Sequence, residues 1–123
     1  MRIFHWRDGG RAIEHHGSRA FTHFRLAQAT GDAAAGAVEL GPGGVIGRHP
    51  AAASQLLVVV EGSGEVSGGD GTFQPIAAGE AVAWETGEEH ETRSAGGLLA
   101  IVLEGEEVDP AAPQTQEGGA REP

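Results

Sequence analysis

Two histidines and an amide stand inside a repeating frame of glycines. Gly43, His49, Gln55 and Gly62 form the first part, and Gly79, Gly87 and His90 form the second. Imidazoles can carry protons, make hydrogen bonds, or ligate a divalent metal through a neutral nitrogen. A nearby amide can hold either ring in place or offer its oxygen as a neutral ligand. This chemistry requires one pocket, so the fold must bring His49 and His90 together. Other chemistries are excluded by the same reading. There is no cysteine, hence no disulfide, thiolate metal site or thiol nucleophile. Ser54, Ser63, Ser67 and Ser94 lack the context of a nucleophile elbow. No glycine-rich stretch leads into a helix or a lysine, so no phosphate cradle is expected.

The elements that would position these residues are short strands. The 21 glycines punctuate apolar segments, the signature of strands joined by tight turns. Strands are predicted at 20–28, 36–40, 55–60, 64–67, 72–76, 80–84, 90–94 and 98–103. The run Gln55–Val60 is the clearest, β-branched and apolar on both faces. Asp70-Gly71 reads as a type I′ hairpin turn. Alternation along a strand puts Gln55, Leu57 and Val59 on one face, with Leu56, Val58 and Val60 on the other. The same rule puts His90, Thr92 and Ser94 inward and Glu89, Glu91 and Arg93 outward. The last strand carries Leu98, Ala100 and Val102 on one face and Leu99, Ile101 and Leu103 on the other. An apolar strand of that kind needs cover on both sides, which points to a homodimer. The class is all-β, a barrel or sandwich, since closure removes exposed edges at this size.

The chain of 123 residues divides into an N-terminal arm (1–19), a barrel (20–104) and a polar, proline-containing tail (105–123). Phe4 and Trp6 are the arm's candidate anchors, on the barrel or on a second subunit. The tail carries too little apolar surface to offset ordering and reads as disordered. Eighteen acidic residues against eight arginines give a net charge of −10, which argues against nucleic acid and anionic membranes as partners. The run Leu98–Leu103 is too short to span a bilayer, and the N-terminus shows no secretory h-region. A cytoplasmic protein is expected.

The glycine–histidine frame resembles the two motifs of the cupin family, the small double-stranded β-helix or jelly-roll barrel. The first family motif, G-x5-H-x-H-x3,4-E-x6-G, is matched in spacing by Gly43, His49, Ala51, Gln55 and Gly62. The second, G-x5-P-x-G-x2-H-x3-N, is matched by Gly79, Glu85, Gly87, His90 and Ser94. The resemblance covers about residues 36–103 and rests on the joint register of both motifs. It implies a metal held by both histidines and the glutamate of the first motif and the histidine of the second. Ala51 stands where the second histidine would be, and Gln55 where the glutamate would be. His49, His90 and Gln55 are what remains of that ligand set.

The resemblance supports three functional expectations. The first is a small-molecule pocket with a reduced metal site, formed by His49, Gln55, Leu57 and His90 with Trp84 and Glu85 at its rim. The second is a dioxygenase- or isomerase-type enzyme with a divalent Fe, Mn, Ni or Zn ion on His49, His90 and Gln55. The third is a structural or regulatory dimeric barrel without ligand. Gln55 is expected to hydrogen-bond His49 or His90 in preference to ligating. Glu85 or Glu88 is the candidate carboxylate at the mouth. Arg48 should point away from the pocket, His5, His15 and His16 should lie on the surface, and His23 is the alternative for the absent second histidine.

Overall fold

The structure, a computed structural model, describes residues 1–111. Its strands are β1 (Arg2–His5), β2 (Arg11–Ala12), β3 (Thr22–His23), β4 (Ala27–Leu40), β5 (Gly44–Pro50), β6 (Ser54–Ser67), β7 (Phe73–Ala77), β8 (Glu80–Trp84), β9 (Glu89–Ser94) and β10 (Leu98–Pro110). The helical content is two single turns of 3-10 helix at Trp6–Gly9 and His15–Gly17. The protein is therefore all-β, as the glycine punctuation requires.

Strand β6 organises the barrel because it belongs to both sides. Its first part, through Gly62, pairs with β8 and β10, in a sheet ordered β1-β8-β6-β10-β4. From Ser63 onward it pairs with β7 and then β9, and β9 pairs with β5. The change of side falls at Gly62, whose φ is +81° and whose place leaves no room for a Cβ. Just before it the register shifts by one residue, with Leu99 opposite Glu61 and Ala100 opposite Val59. Val60 is the extra residue of this bulge and faces outward.

Two apolar layers follow from the alternation along β6. Leu57 and Val59 join Val66, Ile76, Val82, Trp84, Leu98 and Ala100 in the core between the sheets. Leu56 and Val58 point the other way, into a second cluster with Phe4, Ala81 and Val108. The cover on that outer face comes largely from the chain's own N-terminal arm. β1 adds to the edge of β8, with Phe4 opposite Ala81, and Phe4 is buried. Trp6 donates its indole N–H to the Val59 carbonyl at 3.2 Å and packs edge-on against Phe24. Ile101 and Leu103 rest, partly buried, on this second cluster, so part of the outer face of the last strand is covered within one chain.

Three local expectations are corrected. Strands at 20–28 and 36–40 become a small β2–β3 hairpin and one unbroken β4 over Ala27–Leu40. β4 is an exposed edge strand held by backbone pairing to β10, so its side chains need no apolar pattern. The barrel also does not stop at residue 104. β10 continues to Pro110 along β4, and Val108 is only 8% exposed. The remaining tail, 112–123, lies outside the described residues. The Asp70-Gly71 turn is not type I′, which needs positive φ at both central positions; Gly71 has it and Asp70 does not. The Asp70 carboxylate instead accepts the Thr72 N–H at 2.9 Å, an Asx turn.

Candidate functional site

His49 and His90 are cross-strand neighbours on β5 and β9. The register makes them so through a bulge. Ile46 pairs with Thr92 and His49 with His90, so Gly47 and Arg48 together oppose one residue. The ring centroids lie 4.4 Å apart at 51°. On its other side the His90 ring lies 4.5 Å from Trp84. His90 is buried, whereas His49 is exposed at the mouth. Arg48 points away, donating to the Gly68 carbonyl at 3.1 Å.

The hydrogen bonds fix the ring tautomers. His49 Nδ1 donates to the Gly47 carbonyl at 2.7 Å, and His90 Nδ1 donates to the Glu88 carbonyl at 3.1 Å. A carbonyl oxygen only accepts, so in each neutral ring Nδ1 carries the proton and Nε2 carries the lone pair. His90 Nε2 has no partner, yet no buried side-chain nitrogen or oxygen among the described residues lacks one. That atom therefore opens to the cavity.

The cavity measures about 360 Å³, toward the lower end of the roughly 300–1,000 Å³ usual for small-molecule sites. Most of its lining is apolar. Leu57, Trp84 and Val102 form the floor, Ile46 one side, and Ala34–Val38 of β4 the facing wall. The polar side chains are His49, Gln55, His90, Thr92 and Glu104. Sequence reasoning missed Glu104. It continues the Leu98, Ala100, Val102 face by one more step of two and pairs with Gln55 across the sheet, so the alternation that placed Val102 would have found it.

Several expected residues stand elsewhere. Gln55 lines the cavity but bonds neither histidine; its Nε2 donates to Glu104 at 3.5 Å. Glu85 is exposed in the turn after β8 and does not line the cavity. Strand alternation turns Trp84 inward and its successor outward. The Glu88 carboxylate is occupied with bracing, accepting from the Met1 ammonium at 2.9 Å and from the Gly69 and Glu85 N–H groups at 3.2 and 3.1 Å. His23 is exposed on the β2–β3 hairpin, off the cavity. Ala51 is buried, its N–H on the Glu88 carbonyl and its own carbonyl accepting from Gly87, both of which fasten the turn below His90.

These positions test whether a metal of the kind the resemblance implies would fit. Among the described residues no three His, Cys, Asp or Glu side chains are grouped to hold an ion. Ala51 offers no donor, and Gln55 is neutral and turned toward Glu104. Glu104 lines the same cavity but is not grouped with the two imidazoles, and two neutral rings alone leave a dication uncompensated, so the described residues do not fit a resident metal centre.

Burial pushes the His90 pKa down; the hydrogen bond to the Glu88 carbonyl opposes this, and the adjacent His49 adds to the lowering. Glu88 is shifted down despite the upward push of burial, because the N-terminal ammonium and two backbone N–H groups outweigh it. The His90 shift has a consequence for stability. The unfolded chain binds a proton more readily than the fold does, so stability is full above the ordinary value of 6.5 and falls as pH drops below it. Melting temperature measured between pH 8 and 5 should fall for the wild type and stay flatter for His90→Gln. Parallel curves would contradict this. Glu88 acts only in the acid range below its ordinary 4.5, outside that window.

Two antiparallel sheets around an apolar cavity with a polar edge define a jelly-roll barrel. The chain belongs to the cupin family, since the cupin domain matches residues 36–104. A search of curated protein sequences finds no match. Solved structures share the fold. An RmlC-like cupin from Shewanella frigidimarina is 23% identical, with a TM-score of 0.55 over 68% of this chain and 70% of that one. A predicted oxalate decarboxylase from Thermotoga maritima is 22% identical, with a TM-score of 0.53 over 62% and 64%. The DMSP lyase DddQ from Ruegeria pomeroyi is 21% identical, with a TM-score of 0.57 over 69% and 46%. The chain thus covers less than two thirds of the latter two. No helix among the described residues is long and apolar enough to cross a membrane.

Proposed function

We propose that this cupin binds a small organic molecule in the barrel cavity, with His49 and His90 as its polar anchors and without a resident metal. The observation that supports this most is the pairing of two tautomer-fixed imidazoles over an apolar floor. Each ring keeps Nε2 as an acceptor for a guest, and among the described residues no three metal-ligating side chains are grouped to make them a metal centre. The enzymatic names of the structural neighbours belong to those proteins, and identities of 21–22% carry only the fold.

A thermal-shift screen against a fragment library tests this reading. A ligand at a hundred times its Kd stabilises the fold by about 2.7 kcal/mol. The shift should vanish in His49→Gln, a substitution at an exposed ring that leaves the core intact. Stoichiometric metal in the purified protein, lost in both His49→Gln and His90→Gln, would replace this reading with the metal-enzyme one.

We also infer a homodimer. β4 pairs only with β10 among the described residues, leaving one long edge open, and Val45 is 55% exposed. Light scattering on the same sample should give twice the 12.6 kDa chain mass. A single-chain mass would remove the inference.

A further inference from the structure

We infer that the cavity selects a small organic cation, a primary or secondary ammonium carried on an apolar body. This rests on the ligand-binding reading above and adds the chemical class.

Acceptors outnumber donors along the cavity's polar edge. His49 and His90 each commit Nδ1–H to a backbone carbonyl, which leaves each Nε2 as an acceptor. Trp84 commits its indole N–H to the Ser67 carbonyl at 3.2 Å. Gln55 directs an N–H to Glu104 and keeps its oxygen free. Among the described residues Glu104 receives only that one long contact, which leaves most of its carboxylate lone pairs available. The polar edge of the cavity therefore offers two imidazole lone pairs, an amide oxygen and a carboxylate. Only Thr92 and the second N–H of Gln55 can still donate. A guest matching that edge must bring hydrogen-bond donors.

Charge decides which kind of donor. Among the described residues Glu104 is the charged side chain lining the cavity, and no arginine lines it. The chain as a whole carries −10. An anionic guest would meet repulsion and find few donors, whereas an ammonium would pair with the Glu104 carboxylate in a cavity whose other polar groups mostly accept. The rest of the lining is Leu57, Trp84, Val102, Ile46 and the small β4 wall, which suits an aromatic or branched aliphatic body.

The test uses the full chain and three probes of one skeleton: phenethylamine, 2-phenylethanol and phenylacetate. Calorimetry and thermal shift would be run on wild type, Glu104→Gln and His49→Gln. Phenethylamine should bind about tenfold more tightly than the alcohol, and phenylacetate should not bind. Glu104→Gln should weaken the amine about tenfold and leave the alcohol unchanged. Equal affinity for amine and alcohol, binding of the carboxylate, or an amine affinity indifferent to Glu104→Gln would each overturn the proposal. If the amine fails while other fragments bind in a His49-dependent way, the cation class falls and the pocket stands. If the amine fails and the fragment screen is silent as well, both fall.

Discussion

Replacing Gly62 by alanine should cost about 3 kcal/mol or more, among the largest losses any single methyl can cause in this fold. Two separate penalties combine. The backbone there has φ +81°, and holding an L-residue in the left-handed region costs roughly 1–2 kcal/mol. The added Cβ would also stand 2.3 Å from the Gly97 carbonyl oxygen and 2.9 Å from the Leu98 Cα. Both are backbone atoms at the start of β10, so no flexible side chain can yield. Gly87→Ala separates the two penalties. Gly87 has a similar φ of +86° but open space around its Cβ position, so its loss should stop near 1–2 kcal/mol. Urea unfolding midpoints of both variants would measure the difference. Equal losses would mean that the close approach of β6 to β10 contributes nothing.

Trp84→Ala should cost about 3–5 kcal/mol. The side chain is among the largest that are fully buried, packed in the core cluster with Leu57, Val59 and Val82. It also supports the His90 ring from below and donates to the Ser67 carbonyl. Trp84→Phe keeps a ring but removes the indole N–H, and the stranded carbonyl should limit the loss to about 1–3 kcal/mol. Denaturant titration followed by circular dichroism gives both values. A loss under 1 kcal/mol in Trp84→Ala would show that this ring is not part of the packed core. The ordering Ala worse than Phe is the stronger check, because it does not depend on how far the cavity relaxes.

The barrel is legible in the sequence wherever a physical constraint falls on the side chain itself. Gly62 must be glycine, His90 must alternate with buried Thr92 and Ser94, and Leu57 must alternate with Leu56, so these positions write a readable period. The convergence of His49 on His90 followed from that register. What was hidden depends on the backbone. β4 is built on Ala33-Ala34-Ala35-Gly36-Ala37, exposed and without β-branching, and it is a strand because β10 pairs with it along its length. The end of β10 reads as a polar tail for the same reason. Glu104 is hard to read in the sequence because the apolar run ends at Leu103, although the period of two continues. Glu85 is exposed, and a motif position does not determine which way a turn residue faces. Gln55 turned to Glu104 because the residue directly across a ladder is nearer than one on the opposite sheet.

One side of the cavity is made of the smallest side chains available, on a strand that contributes little to the core. Trp84 cannot be exchanged without loss of stability, but Ala35 or Ala37, exposed on β4, can become valine or threonine through one nucleotide change at little cost to folding. Cavity size and barrel integrity are thereby written on different strands. A lineage carrying this architecture can revise what it admits by steps that never pass through an unfolded intermediate.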